Sequence, residues 1–309
     1  MQYRRLGRAG IKVSAISLGA WLTYGGSVGG EQASACVRAA LDCGINHFDT
    51  ADAYQGGQAD LALRQALEGI ARTSYVLATK VFWPIGPGPN DRGTSRKHLF
   101  ESVEASLRRL GTDYVDILYC HRFDEETDPE ETMFALNDLV AQGKVLYAGV
   151  SEWPAHRIRE ARGIQKRLGL RGLAAAQPVY NLLNRGIERE VLPACRDEGL
   201  GLVVFSPLAQ GLLTGKYRPG EAVPESTRGS RNQGMMRQEH LERVERLRPI
   251  AAQAGLPLPH LALAWILRLP EITAALVGAT RPEQVTENAG AADVKLTPDV
   301  LAAIEGALK

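Results

Sequence analysis

Short apolar runs alternate along this chain with amphipathic stretches. Most of the runs are continuously apolar, without the alternation of a strand that has one wet face, so both faces of the sheet should be buried. This pattern is typical of a parallel sheet covered by helices. Strands are predicted at 15–20, 45–50, 75–81, 114–120, 145–150, 173–177, 201–205 and 274–278.

Helical periodicity fills the intervals between these strands. The clearest helix, at 95–110, places Leu99 and Val103 on one face. Ser95 is suited to be its N-cap, and Gly111 is suited to end it. Further helices are predicted at 31–43, 59–69, 129–142, 154–168, 186–198, 239–254, 282–291 and 297–308.

The recurrence of these elements predicts the fold class, an α/β protein. Until the last strand, strand ends recur at intervals of about 30 to 40 residues, which is the rhythm of βαβ units. Eight such units favour a closed (β/α)8 TIM barrel, with an open doubly wound sheet as the alternative. The segment 2–14 predicts a β-hairpin that closes the barrel bottom, and the helix at 297–308 is expected to pack outside. A length of 309 residues suits one barrel domain over 1–309.

Composition excludes several classes of protein. The 36 basic and 35 acidic residues are interspersed, without the basic patch of a nucleic-acid binder. The N-terminus lacks the apolar core of a signal peptide, and the longest apolar runs, such as 202–205, are too short to cross a membrane. The cysteines at 36, 43, 120 and 195 have no ligand-like spacing and are expected to be reduced thiols. We therefore expect a cytoplasmic protein without membrane insertion.

Polar side chains follow three consecutive predicted strands. Asp49 and Tyr54 follow the second strand, Lys80 ends the third, and His121 follows the fourth. Because consecutive strand ends are neighbours on the active face of a barrel, these four side chains should converge on one pocket. Each residue alone also has a structural interpretation, such as a turn cap for Asp49. The four together favour a catalytic site.

This quartet suits the reduction of a carbonyl group. A free phenol has a pKa near 10, and the ammonium of Lys80 would lower that value for Tyr54. The phenol can then protonate a carbonyl oxygen while hydride arrives at carbon. Asp49 would hold the lysine as its counter-ion, and His121 would donate a hydrogen bond to the developing alkoxide. A metal-dependent barrel hydrolase or isomerase is an alternative, but the first strand lacks an HxH pair, so no metal is predicted.

Longer strings resemble one family. INHFDTADAY (45–54) resembles the signature of the aldo-keto reductases around their catalytic Asp and Tyr, and QPVYN (177–181), FSPLAQGLLTGKY (205–217) and LVGATRPEQVTENAGA (276–291) are also similar to it. The strings WLTYGG, GPNDRG and SRKHL resemble the branch that holds the voltage-gated potassium channel β-subunits and their bacterial relatives. The resemblance implies a barrel enzyme that reduces aldehydes or ketones with NADPH.

The same resemblance implies residue roles. Tyr54 matches the general acid, Lys80 and Asp49 its activating pair, and His121 the residue that orients the carbonyl. Channel β-subunits often carry Asn at the last position, so the His here favours a reductase. The alternative is an NADP(H)-binding, catalytically slow partner subunit of a membrane channel or other complex. The resemblance also implies a homo-oligomer, either tetrameric or octameric.

The implied cofactor is NADPH, bound across the barrel mouth without a GxGxxG motif. Ser151 and Gln177 match the pair that binds the nicotinamide carboxamide, and Phe205 the ring beneath it. The residues implied around the rest of the cofactor are Ala20, Trp21, Asp49, Ser206, Leu208, Gln210, Gly211, Lys216, Arg228, Gly278, Thr280, Arg281, Gln284, Glu287 and Asn288. Among them Lys216 and Arg228 match cations that contact the 2′-phosphate, for which bidentate guanidinium bonds are well suited.

The substrate pocket is less sharply marked. We expect it to be lined by Trp21, Tyr54, Phe82, Trp83, His121 and Trp153. Its aromatic residues have the alternative of packing beneath loops. An aromatic pocket without an evident anion clamp indicates small or aromatic aldehydes and dicarbonyls as substrates.

Overall fold

The computed structural model describes residues 1–21, 24–26, 28–221, 234 and 236–308. Within them, eight parallel strands close into a barrel, in which each strand pairs with the next along the chain and the last pairs with the first. An antiparallel hairpin precedes the barrel. The strands are β1 (Tyr3–Arg5) and β2 (Lys12–Ser14) of the hairpin, then β3 (Ile16–Gly19), β4 (His47–Asp49), β5 (Val76–Val81), β6 (Val115–Cys120), β7 (Val145–Ser151), β8 (Ala175–Gln177), β9 (Gly201–Phe205) and β10 (Ile272–Val277). The predicted barrel with an N-terminal hairpin is confirmed.

Helices cover the barrel between its strands. They are α1 (Gly30–Asp42), α2 (Gln58–Ala66), α3 (Arg96–Leu110), α4 (Pro129–Ala141), α5 (Ala155–Leu168), α6 (Val191–Glu198), α7 (Gln238–Gln253), α8 (Leu258–Leu267), α9 (Pro282–Gly290) and α10 (Pro298–Leu308). Local sequence sets their ends: at α3, the Ser95 hydroxyl accepts from the His98 N–H at 3.3 Å, and Gly111 ends the helix at φ 68°. Within the described residues, no single helix is long and apolar enough to cross a bilayer; only α7 and α8 together, bent by 91°, have the length and composition.

Two helix predictions were wrong. The segment 186–198 is not one helix, because Glu190 has φ −134° and separates a short 3-10 turn from α6. The sequence also gave no prediction of α8. Nearly every side chain of α8 is apolar and buried, so no polar face marks a helical period.

The N-terminal ends of the strands form the barrel bottom, and apolar side chains close it. Leu6 and Val13 of the hairpin are fully buried and pack in one cluster with Val76, Ile117 and Val203 from the barrel interior. The C-terminal ends form the opposite opening, the barrel mouth. The polar residues predicted for catalysis lie there.

Candidate active site

Asp49, Lys80 and Gln177 form a buried polar cluster at the barrel mouth. The Lys80 ammonium is paired with Asp49 Oδ1 and donates to the Thr50 carbonyl oxygen at 2.9 Å. The side-chain amide of Gln177 donates to Asp49 Oδ2 at 2.9 Å. The Ser151 hydroxyl in turn donates to the Gln177 carbonyl oxygen at 2.8 Å. Because both carboxylate oxygens of Asp49 are bonded, the lysine has a fixed position.

Tyr54 and His121 lie above this cluster. Tyr54 begins a 3-10 turn that follows β4, and its ring centre is 5.0 Å from Lys80 Nζ. The His121 ring lies edge-on to the Tyr54 ring at 5.7 Å between centres. The structure therefore brings together all four residues that the strand ends predict for one pocket.

The electrostatics of the site depend on burial. Burial raises the pKa of the Tyr54 phenol, and the neighbouring Lys80 charge opposes that shift without cancelling it. Burial alone would lower the pKa of Lys80, but the carboxylate of Asp49 and the phenol of Tyr54 raise it. Burial, with the charges of Lys80 and Arg122, lowers the pKa of His121 to about 2. At neutral pH the site thus has a protonated phenol, a charged lysine and a neutral imidazole.

The expectation that Lys80 lowers the pKa of Tyr54 below that of a free phenol is wrong, because the net shift of that pKa is upward. Desolvation of the half-buried phenol, the largest cause of the shift, outweighs the attraction of the ammonium.

A second polar network lies behind Tyr54, and sequence reasoning missed it. Asp52 is 2% exposed and accepts from the Ser102 hydroxyl at 2.6 Å. Burial raises its pKa to about 7. Asp60 accepts from the Thr50 hydroxyl at 2.8 Å and is bonded by Arg109 at 3.0 Å. The string DTADAY contains Asp52, but its partner Ser102 lies on α3, far along the chain.

The predicted substrate-pocket aromatics occupy two environments. Trp83 is 40% exposed, with its ring centre 6.2 Å from that of His121. Phe82 is buried and packs edge-on against Trp83 at 5.2 Å. Trp153 is also buried and packs against Phe123 at 4.8 Å. Trp83 therefore lies next to His121, whereas Trp153 lies farther back, against Phe123.

Arg122 also lies near the site, although the sequence predicted no role for it. Its guanidinium lies 5.4 Å from the Trp83 ring centre. Its charge contributes to the lowered pKa of His121 and opposes, without cancelling, the rise in the pKa of Tyr54. Its position directly after His121 was the available signal. The mouth thus has a cation near the predicted pocket, where the sequence indicated none.

The loop after β9 has an unusual backbone. Ser206, Ala209 and Gln210 have φ values of 50°, 47° and 55°, which are uncommon for residues with a side chain. Asn181 braces the loop by donating to the Ser206 carbonyl oxygen at 2.9 Å. Such outliers persist only where surrounding structure imposes them, and they cluster at ligand sites. We refer to residues 206–211 as the strap.

Other predicted cofactor residues surround the strap. Phe205 ends β9 and is half-buried, with Leu208 half-buried within the strap. A Cβ added at Gly211 would lie 3.1 Å from Lys216 Cε, so the exposed Lys216 lies beside the strap. Arg228 lies outside the described residues. Ala20 and Trp21 follow the C-terminal end of β3 and therefore lie at the same mouth. The Ala20 N–H donates to the Asp49 carbonyl oxygen at 2.8 Å.

The start of α9 forms another side of the mouth. β10 pairs with β3, and Gly278 follows its last residue. The Thr280 N–H donates to Gln284 Oε1 at 2.8 Å, which fixes the turn into the helix. Arg281 is exposed at the helix N-terminus, where backbone N–H groups favour an anion. Further along, Glu287 is exposed and Asn288 is buried.

These residues fit a nicotinamide dinucleotide cofactor. His121 Nδ1 is buried without a hydrogen-bond partner among the described residues, which is typical of a site that binds a ligand. The strap and Lys216 follow β9, and the N-terminus of α9 follows its neighbour β10, so these segments lie at adjacent strand ends and suit phosphate groups. The described residues contain no group of three or more His, Cys, Asp or Glu arranged to hold a metal ion.

Known proteins share this sequence over almost all of its length. The model of the aldo/keto reductase family matches residues 15–309. A probable voltage-gated potassium channel subunit beta of Arabidopsis thaliana is 44% identical over 99% of this chain and 96% of its own length. The similarly named protein of Oryza sativa subsp. japonica is 42% identical over 100% and 97%. A putative voltage-gated potassium channel subunit beta of Schizosaccharomyces pombe is 41% identical over 98% and 92%.

These similarities agree with the closed parallel barrel. They also indicate an oxidoreductase that uses a nicotinamide cofactor. The chain belongs to the aldo/keto reductase family.

Proposed function

We propose that this protein reduces aldehydes or ketones to alcohols with NADPH, and that Tyr54 is the proton donor. The observation that carries the proposal is the position of Lys80. Its ammonium is held by Asp49 and lies 5.0 Å from the Tyr54 ring centre. A half-buried phenol next to a fixed cation is suited to give up a proton during a reaction, and the cation then stabilises the phenolate.

The bound cofactor supplies the hydride that forms the new C–H bond at the carbonyl carbon. Tyr54 donates its proton to the carbonyl oxygen, so that the C=O double bond becomes an alcohol. The phenolate that remains is stabilised by the Lys80 ammonium, which Asp49 keeps in place. His121, neutral at physiological pH, donates a hydrogen bond to the oxygen as its negative charge develops.

The proposed cofactor residues divide by the part of NADPH that they contact. Ser151 and Gln177 bind the carboxamide, and Phe205 packs beneath the nicotinamide. The strap holds the pyrophosphate. Lys216 and Arg228 bind the 2′-phosphate, which Thr280 and Arg281 flank. Gln284, Glu287 and Asn288 bind the adenine side, while Ala20, Trp21 and Gly278 complete the mouth. The preference for NADPH over NADH rests on the cations of this set.

The proposed substrates are small or aromatic aldehydes and dicarbonyls. Trp83 and His121 border the position of the reacting carbonyl, with their ring centres 6.2 Å apart. Trp21, Phe82 and Trp153 are proposed to shape the rest of the pocket. The half-exposed Trp83 ring can pack against an aromatic substrate.

The test is consumption of NADPH and of NADH with a panel of aliphatic, aromatic and dicarbonyl substrates. We expect turnover with NADPH, slower turnover with NADH, and alcohol formed in equal amount to the cofactor consumed. A protein that binds NADPH but reduces no member of the panel would contradict the reductase proposal.

That last outcome would favour a second candidate function. The relatives are named as voltage-gated potassium channel subunits, at 41% to 44% identity. An NADP(H)-binding partner subunit of a membrane channel or other complex would bind the cofactor and turn over slowly.

We also propose, from the resemblance to the channel β-subunit branch, that the protein is a homo-oligomer, tetrameric or octameric; closed symmetry is usual for soluble homo-oligomers. Light scattering at micromolar protein concentration tests this. A monomer under those conditions would contradict it.

A further inference from the structure

A groove of about 680 Å³ lies at the barrel bottom, at the opposite end from the candidate active site. The hairpin, the start of β9 and the turn into β10 form its walls. Five arginines line it, but among the described residues that line it there is one carboxylate, Glu271. The arginines are Arg4, Arg5, Arg8, Arg196 and Arg268.

This surplus of positive charge is local. The whole chain is nearly neutral, with 36 basic and 35 acidic residues. Glu271 is paired with Arg196 at 2.5 Å. Arg5 and Arg8 are exposed and have no carboxylate partner in the part of the chain that the structure describes. The groove therefore has uncompensated guanidinium groups.

Several of these arginines are held in place. Arg4 donates to the carbonyl oxygens of Ile272 at 2.8 Å and Leu267 at 2.9 Å. The Arg268 guanidinium lies 3.8 Å from the ring centre of Trp265. Fixed side chains lose less conformational freedom when a ligand binds.

The hairpin tip is fixed against the barrel by glycine. Gly7 has φ 58°, and a Cβ there would lie 2.3 Å from the Gly199 carbonyl oxygen. That same carbonyl accepts from the Arg8 N–H at 2.9 Å. Only the lack of a side chain at Gly7 permits this approach, which places Arg8 at the groove.

We propose that this groove is a binding site for a small oligophosphate, a molecule with two or more linked phosphate groups. Planar guanidinium groups match phosphate oxygens in bidentate pairs, which a single ammonium cannot do. The groove volume is within the range of small-molecule sites, roughly 300–1,000 Å³. Because the groove is at the barrel bottom, it is separate from the proposed NADPH site.

The first experiment titrates inorganic triphosphate into the protein by calorimetry. We expect saturable binding that Arg5→Ala/Arg8→Ala weakens at least about tenfold, since each charged bond lost contributes that order of affinity. The matched control, Arg38→Ala/Arg108→Ala, removes the same charge from exposed positions outside the groove. It should bind like the parent. Equal weakening by both double variants, or no saturable binding, would overturn the proposal.

A second variant should bind triphosphate more tightly than the parent, a change that misfolding cannot produce. Glu271→Gln removes the carboxylate of the groove and releases Arg196, so triphosphate should bind several-fold more tightly. Unchanged or weaker binding by a folded Glu271→Gln protein would count against the site.

Two further measurements identify the ligand and the location. Binding of triphosphate should be the same with and without saturating NADPH, whereas competition would place it at the mouth and overturn the proposal. In a parallel titration with ATP, weaker binding of ATP by Arg5→Ala/Arg8→Ala than by the parent would support binding in the groove. If the parent also binds ATP more tightly than triphosphate, the ligand is a nucleoside oligophosphate. Failure of NADPH to bind would contradict the reductase proposal and leave the groove result unaffected.

Discussion

The two ends of the barrel are filled with different kinds of side chain. At the bottom, Leu6 and Val13 are fully buried among apolar neighbours. At the mouth, equally buried positions hold the ion pair of Lys80 and Asp49. Burying charge has a desolvation cost that burying Leu6 does not have. The difference indicates that the bottom stabilises the fold and that the mouth retains its polar groups for chemistry.

This comparison extends to unpaired polar atoms. At the mouth, His121 Nδ1 is buried without a partner within the described residues. At the bottom, the unpaired cations Arg5 and Arg8 remain in contact with solvent, where they cost little. Solvent can pair with the exposed guanidinium groups, whereas a bound ligand would supply the partner that His121 Nδ1 lacks.

The largest expected effect is at the mouth. Tyr54→Phe should lower kcat by roughly 10²–10⁴-fold, because a positioned acid contributes that much, and should leave the Kd for NADPH nearly unchanged. Steady-state kinetics and a fluorescence titration measure the two. Tyr114→Phe, at the bottom end of β6, is the control and should keep the parent rate. A Tyr54→Phe protein with more than about half of the parent kcat would exclude Tyr54 as the acid.

The matching change at the bottom should act on stability. Leu6→Ala leaves a cavity in the apolar cluster and should lower the free energy of unfolding by about 2–5 kcal/mol. The kcat of the folded protein should stay at the parent value. Urea unfolding measures the loss, and Leu61→Ala, at a position 41% exposed, should change little. A large fall in the kcat of Leu6→Ala without a loss of stability would show that the bottom of the barrel also affects catalysis.

The network behind Tyr54 predicts a pH effect on stability. The pKa of Asp52 is about 7 in the folded protein, against a usual 3.8. The folded state therefore binds more protons than the unfolded state between these values, and stability is lost as pH rises through that window. Asp52→Asn removes this dependence. The parent, compared with the variant, should lose up to about 4 kcal/mol of unfolding free energy between about pH 4 and pH 7.

Urea unfolding of both proteins across that pH range provides the measurement. His47 and His121 have lowered pKa values, so their protonation destabilises the folded protein as pH falls. They contribute equally to the parent and to Asp52→Asn, so their effect cancels in the difference. Asp42→Asn, on the exposed side of α1, is the matched control. Parallel curves for the parent and Asp52→Asn would contradict the prediction.

The smallest effect concerns coenzyme choice. Lys216→Ala should weaken NADPH binding by roughly ten- to a hundred-fold, since a bond to a charged group contributes about 1.5–3 kcal/mol. NADH lacks the 2′-phosphate, so its Kd should hardly change. Lys12→Ala, an exposed lysine of the bottom hairpin, should leave both values unaltered. If the NADPH/NADH ratio is the same in Lys216→Ala as in the parent, Lys216 does not contact the phosphate.

Much of the fold follows from local sequence pattern. Each barrel strand is an apolar run that must be buried on both faces, so the run itself marks the strand. The helix α3 has a visible N-cap, apolar stripe and C-terminal glycine. The helix α8 has no such contrast, because its surroundings in the fold are apolar on all sides. Tertiary packing decided that this segment is a helix, because a segment that is apolar on all sides has no periodic pattern from which a helix can be predicted.

The candidate site divides in the same way. Asp49, Lys80 and His121 could be placed together from the sequence, because strand ends of a parallel barrel meet at one face. The pairing of Asp52 with Ser102 depends on how α3 packs on the turn after β4, and only the tertiary structure decides this. The net pKa of Tyr54 is also a tertiary property. The sequence shows the charge beside the phenol, but the extent of desolvation depends on everything packed around it.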